Sequence, residues 1–389
     1  MNTLSRVQAC LEQAVANHEC AGISVLVRKA GQDVLYAAAG HADIATGKKV
    51  QRDHIFRLYS QSKPITAAAA LLLVERGQLD LMDPVEKYLP GFHGQQVITA
   101  EGLVPAQRPV WVMDLLGMTA GTAYPDADPA GQAAARLFME DHELILAGGG
   151  MTTVEFCNRM GELPLTFHPG SHWRYSTCAD ILGAVVEVAS GKPFEDFLQE
   201  EFFTPLGMKD TAFWVPEEKR DRFVTCYKRI PGALETFSSL HLAVGDYARK
   251  PAFCSGGAGL VSTLDDYAAF ADMLMNEGEY QGKRILSPET VRFMTQPQLS
   301  PAARADMWDS LEGYSYGKLM RVCVEPGRWA GMTRLGEYGW DGWLGSYFAN
   351  FPAEKLTILS MQNTTDTGTS SAVRKARNAI LAGESCGDI

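Results

Sequence analysis

The sequence predicts an α+β fold: one antiparallel sheet built from both ends of the chain, flanked by the terminal helices, with a mainly helical region inserted in the middle. Three observations predict it. Strand-like runs cluster in residues 23–38 and 314–361. Apolar residues recur at helical spacing near both termini. Between these ends the chain reads as helices and loops. Residues 1–85 plus 250–389 are therefore expected to form an α/β sheet domain and residues 86–249 a mainly helical one. A cleft between the two is where a ligand site is expected.

Leu4, Val7, Leu11 and Val15 recur at helical spacing and predict an amphipathic helix over residues 3–17. A β-branched run at 23–27, a turn at Ala30-Gly31-Gln32-Asp33 and an answering run at 34–38 predict an antiparallel hairpin. Residues 60–76 are nearly all Ala, Leu and Val in their middle, and a helix apolar on every side is normally buried. Gly77 ends it. Further helices are expected at 110–116, 131–147, 153–160 and 180–188, and an amphipathic one at 194–203. Thr263-Leu264-Asp265-Asp266 resembles a capping box and opens a helix to about Met275. Pro288 opens another that ends near Met294. Strand-like runs follow at 314–324, 336–342, 347–351 and 356–361. Ser370 or Ser371 caps a last helix carrying Val373, Ile380 and Leu381.

The chain has 389 residues and a net charge of −11, which argues against nucleic acid and anionic membrane as partners. Its eight cysteines form no Cys-x-x-Cys and share no zinc-ligand spacing with histidine. They read as reduced cytosolic thiols. The first twenty residues lack the apolar run of a signal peptide, and no window has the apolar length of a membrane span. The expectation is a cytoplasmic protein with no metal, no cofactor and a small-molecule partner.

Ser60 and Lys63 are the chemical focus. They lie three residues apart at the start of the apolar helix, and Pro64 falls in its first turn, where a missing N–H costs little. Positions i and i+3 share a helix face, so the amine reaches the hydroxyl. A serine is a weak nucleophile until a base takes its proton. Burial and the positive helix end both disfavour a charged lysine, which suits Lys63 to that task.

Six ordered stretches extend this pair. They are Phe56–Pro64, Leu79–Pro90, Pro169-Gly170-Ser171-His172-Trp173-Arg174-Tyr175-Ser176, Pro205–Thr211, Gly257–Thr263 and Gly339–Phe348. Together they resemble the serine β-lactamase-like hydrolases related to class C β-lactamases, penicillin-binding proteins and family VIII carboxylesterases. The resemblance implies a β-lactamase/transpeptidase-like fold and an acyl-enzyme on Ser60, with Lys63 as its motif partner and Tyr175 as the tyrosine that relays or accepts the proton. A phenol beside an ammonium becomes a usable base, because the cation favours its anion. The backbone N–H groups of Ser60 and Trp343 would form the oxyanion hole. Trp340, Asp341 and Gly342 stand at the third motif. Thr177 and Tyr124 complete the expected substrate contacts, and Trp173 and Trp308 are placed in the cleft or in the core.

The departures select among activities. A cation at the third motif attracts the carboxylate of β-lactams and peptidoglycan stems. Trp340 offers no charge there and Asp341 would repel it. Tyr175-Ser176-Thr177 also lacks the asparagine that class C enzymes carry. The expectation is a metal-independent hydrolase of esters or simple amides. The alternatives are a β-lactamase or D-amino-acid peptidase, an acyltransferase, or a non-catalytic binding protein. Met118 reads as a packing position, and Cys178, near His168 and His172, as a structural thiol. The loops at 118–150, 225–250 and 300–337 are expected to set specificity.

Overall fold

The computed structural model describes residues 2–238 and 240–389. Helix α1 spans Thr3–Ala16 and is followed by strands β1 (Gly22–Lys29), β2 (Gln32–Asp43) and β3 (Lys48–Lys49). The central helix α2 is Lys63–Glu75, and α3 is Cys178–Ser190. The last third supplies β4 (Tyr314–Tyr316), β5 (Arg321–Cys323), β6 (Tyr338–Asp341), β7 (Tyr347–Phe351) and β8 (Leu356–Gln362), then α4 (Ser371–Ser385).

These strands form one eight-stranded sheet in the order β4-β5-β6-β7-β8-β1-β2-β3. The two ends of the chain meet at its centre. β1 and β8 are antiparallel, in register from Ile23 opposite Gln362 to Lys29 opposite Leu356. Every residue of β8 is buried, as a strand covered on both faces requires. On one face α1 and α4 lay Val7, Leu11, Val373 and Ile380 against Val25, Val27 and Ile358. On the other face Leu26, Trp340, Phe348 and Leu359 join a larger core that contains α2 and α3. Helix α2 is buried without interruption from Lys63 to Leu73, the consequence of its all-round apolar sequence.

The predicted elements are present at both ends, and Ser370 caps α4 by accepting from the Val373 N–H. Three differences stand against these expectations. The middle of the chain holds two hairpins that the sequence reading left as loops, Gln96–Thr99 with Gly102–Pro105 and Tyr227–Ile230 with Ala233–Thr236. Lys228, Arg229 and Glu235 are exposed there, so the pairing carries no apolar alternation to read. The helix expected over 194–203 is α-helical only at Phe194–Leu198 and continues as a π turn. Ser60 does not start the α-helix: it sits in a 3₁₀ turn, Tyr59–Ser62, and α2 begins at Lys63.

Candidate active site

Ser60 is held by a short two-stranded clamp. Phe56–Arg57 pairs with Val261–Ser262, and the Leu58 N–H donates to the Leu260 carbonyl at 2.9 Å. The Ser346 hydroxyl donates to the Leu58 carbonyl at 3.0 Å. The chain then turns sharply, because Tyr59 adopts a left-handed conformation with φ of 46°. Such a backbone costs a non-glycine residue about 1–3 kcal/mol and persists where packing dictates it. Here the buried Tyr59 ring stands edge-on to Trp343, with centroids 5.1 Å apart. The strain presents Ser60, half-buried, to a cavity of about 410 Å³.

Lys63 lies wholly inside the protein. Its Nζ donates to Ser60 Oγ at 3.1 Å, to the Tyr124 hydroxyl at 3.2 Å and to the Gly257 carbonyl at 2.8 Å. Burial lowers its pKa to about 7, against the opposing pull of Asp180, Cys178 and Asp341. Asp180 belongs to the same cluster. Its carboxylate accepts from Ser255 Oγ and from the Gly257 N–H, the latter at 3.0 Å, and lies 3.5 Å from the Tyr124 hydroxyl. It therefore orients two of the three groups that receive the lysine's protons. Sequence reasoning missed Asp180 and Gly257. Asp180 stands five positions after Tyr175 on α3, and that spacing was the available signal.

Tyr175 is brought to the same place, but not in the expected state. Burial drives its phenol well above the ordinary value, only partly offset by the Ser60 hydroxyl and the Trp340 indole. Burial thus works against the anion that the neighbouring cation was expected to favour. The physical reason is geometric. Lys63 Nζ sits over the face of the Tyr175 ring, 4.6 Å from its centroid, rather than beside its oxygen. The partner at the oxygen is Trp340, whose Nε1–H donates at 3.2 Å. Trp340 is itself almost wholly buried and also lines the cavity.

Gly342 lines the cavity, and a Cβ there would meet the Leu58 carbonyl at 2.1 Å and Ser346 Oγ at 2.3 Å, so the missing side chain also lets this loop close on the Ser60 turn. The Gly342 N–H donates to the Ser346 carbonyl at 2.8 Å. The N–H groups of Ser60 and Trp343 find no hydrogen-bond acceptor among the described residues. Tyr124 is gathered to the site as a partner of Lys63. Thr177 is not: it is wholly buried, does not line the cavity, and its hydroxyl has no partner among the described residues. Asp341 lines the cavity and accepts from the Thr369 hydroxyl.

Trp308 lines the cavity, whereas Trp173 is a core residue edge-on to Trp308 and Tyr316. Met118 is buried, and Cys178 is a buried thiol, raised by that burial and sharing hydrogen bonds with Ser176 and Thr122. His172 lies 3.0 Å from Asp306. Of the three loops expected to set specificity, 300–337 reaches the cavity, through Trp308, Leu311 and Trp329. The expectation that this region lacks a cation is corrected, because Arg321 and Arg374 line the same cavity. Neither belongs to a motif, so only the folding of β5 and α4 brings them there. Among the described residues no group of His, Cys, Asp and Glu side chains is arranged to hold a metal ion, and no helix is long and apolar enough to cross a membrane.

The family model described as Beta-lactamase matches residues 7–383. Esterase EstB of Burkholderia gladioli is 30% identical over 403 residues, spanning 97% of this chain and 95% of its own. Lovastatin esterase of Penicillium rubens is 30% identical, with 81% of this chain and 76% of its own covered. The solved structure of EstCE1, described as a hydrolase with promiscuous acyltransferase activity, superposes with a TM-score of 0.81 at 27% identity, over 97% of this chain and 98% of its own.

Proposed function

The chain belongs to the beta-lactamase family of serine hydrolases, and from that premise we propose that it cleaves an ester or simple amide through an acyl-enzyme on Ser60. The observation that carries this reading is the Lys63 amine, 3.1 Å from Ser60 Oγ and brought to a pKa of about 7 by burial. A base near the working pH is partly unprotonated and still accepts a proton well. Lys63 takes the proton of Ser60 as Oγ attacks the substrate carbonyl carbon. The carbonyl π electrons move to its oxygen, which rests on the N–H groups of Ser60 and Trp343. Removing one such donor typically costs about 10²–10³ in rate.

The tetrahedral intermediate collapses and expels the alkoxide or amine, which receives the proton of Tyr175. The Trp340 N–H stabilises the phenolate left behind, which is the use of an indole at this place. Water then attacks the acyl group and gives its proton to the phenolate. Ser60 leaves with the proton held on Lys63, and the cycle closes with every group restored. An alcohol in place of that water gives acyl transfer, the second reading, favoured by the acyltransferase activity in the description of EstCE1.

The substrate is a small molecule. The net charge of −11 and the eight free thiols support a cytoplasmic protein that engages neither nucleic acid nor membrane. Ser60, Lys63, Trp340 and Trp343 come from residues 1–85 plus 250–389, and Tyr124 and Tyr175 from 86–249, which supports two domains with the site between them. The test is intact mass after a p-nitrophenyl ester or a fluorophosphonate probe. The expected result is one adduct and steady turnover in the wild type, both lost in Ser60→Ala. Undiminished turnover by Ser60→Ala rules the reading out.

A further inference from the structure

Tyr59 is an anomaly in this molecule. Its backbone is left-handed, with φ of 46°, a conformation that glycine adopts freely and a tyrosine does not. Strain of this kind persists where the surroundings dictate it, and it gathers at functional sites. A glycine would give the same turn before Ser60 with less strain, so the ring itself needs a purpose. It is only 3% exposed, and its centroid lies 5.1 Å from that of Trp343 and 5.6 Å from that of His241. His241 in turn lies flat on Trp343, with 3.9 Å between centroids and 19° between planes.

These three rings have a cavity on each side. Trp343 lines the one that holds Ser60. Away from it, Tyr59 packs in one apolar cluster with Val244 and Tyr247. Those two residues line a second cavity, of about 730 Å³, together with Phe213, Leu240 and Phe253. The two cavities share no lining residue. A layer made of Tyr59, His241 and Trp343 therefore lies between the reacting serine and a larger, mainly apolar space. The aromatic contacts near Ser60 also fall into two groups: Tyr175 stands with Trp308 and Trp340, and Tyr59 with His241 and Trp343. Tyr175 serves the leaving group in the reaction proposed above. The acyl part, on the other side of the carbonyl carbon, faces Trp343.

We infer that Tyr59 is a specificity-determining residue: with His241 it backs Trp343 as a wall that closes the acyl side of the reacting cavity and keeps the second cavity out of reach. The inference rests on the hydrolase reading above and names its substrate class, esters of short linear acyl groups. A longer acyl chain meets the rings instead of the apolar space behind them. The strained backbone at Tyr59 is what places a ring, rather than a bare turn, at this point of the wall.

The test is the ratio of kcat/KM for 4-nitrophenyl octanoate to that for 4-nitrophenyl butyrate. The wild type is expected to favour the butyrate, with a ratio below one. Tyr59→Gly suits the left-handed turn and opens the wall. It should raise the ratio about tenfold or more, since each methylene that gains apolar cover is worth about fourfold. Tyr59→Phe keeps the ring and should keep the wild-type ratio. His241→Ala removes the neighbouring ring from a half-buried position and serves, with a rise again expected, if Tyr59→Gly does not fold. A wild-type ratio at or above one overturns the wall while leaving the hydrolase reading intact. So does a ratio that the opened variant leaves unchanged, or one that Tyr59→Phe raises as much as Tyr59→Gly does. If the wild type turns over neither ester, it is the hydrolase reading that fails. The wall is then judged by thermal unfolding: octanamide should raise the midpoint of the opened variant more than that of the wild type, and equal rises overturn the inference.

Discussion

Lys63 and Arg377 are both completely buried cations, one on each side of the eight-stranded sheet. Lys63 is surrounded by neutral oxygens, from Ser60, Tyr124 and Gly257, and no carboxylate pairs with it directly among the described residues. Burial therefore wins and its pKa falls to about 7. Burial also works against the charge of Arg377, but Tyr347 and Glu337 outweigh it and hold the guanidinium charged. Equal burial thus yields opposite outcomes: an amine among neutral acceptors becomes able to exchange a proton, whereas a guanidinium keeps its charge and is here paired with a carboxylate.

The largest way to break this contrast is Lys63→Met. Ester turnover is expected to fall about 10²–10⁴-fold, the worth of a positioned base. Steady-state rates check it, and retention of more than a tenth of the activity would make Lys63 a bystander. Glu337→Gln tests the other side of the sheet. It strands Arg377 without its counter-ion and should destabilise the fold by about 3–5 kcal/mol. Urea unfolding measures this, and Lys63→Met should cost far less in the same assay. Equal losses would erase the distinction.

Trp340→Phe sharpens the active side. It removes the donor to Tyr175 while keeping an aromatic ring, and should lower kcat about tenfold with the unfolding midpoint little changed. An unaltered kcat would mean that the indole N–H does nothing for the phenolate.

The smallest effect is in pH. Lys63 accepts the serine proton only when neutral, so kcat/KM should rise about tenfold per pH unit up to about 7. Asp180 favours the ammonium form, so Asp180→Asn should carry that limb to lower pH. A limb that stays or moves upward contradicts the assignment. The same shift acts on stability. The folded pKa of Lys63, about 7, lies below its unfolded value, 10.5, so the unfolded chain binds more protons between them. Stability from this group is fully present above the unfolded value and is lost as pH falls through about 7. Lys63→Met should remove that slope in urea titrations across this window.

Much of this was legible in the primary structure, and the reason is local. Ser60 and Lys63 are neighbours on one turn, so their contact follows from spacing and Pro64 alone. The terminal helices and the strands at 23–38 and 347–361 carry their own periodicity. The family resemblance carried Tyr175 and Trp343. What was illegible is non-local. Arg321, Arg374 and Thr369 sit in no motif, yet the pairing of β5 with β6 and the packing of α4 gather them beside Asp341. Gly257 and Asp180 meet Lys63 from segments far apart in the chain.

The sequence by itself brought the proposed nucleophile and its base together, because Ser60 and Lys63 lie three residues apart, and it determined the buried helix, because apolar residues stand on every side. Only the tertiary structure decided their states of charge. Desolvation and the choice of acceptor are properties of the assembled surroundings. They lower the pKa of Lys63, raise that of Tyr175 and pair the buried Arg377 with Glu337.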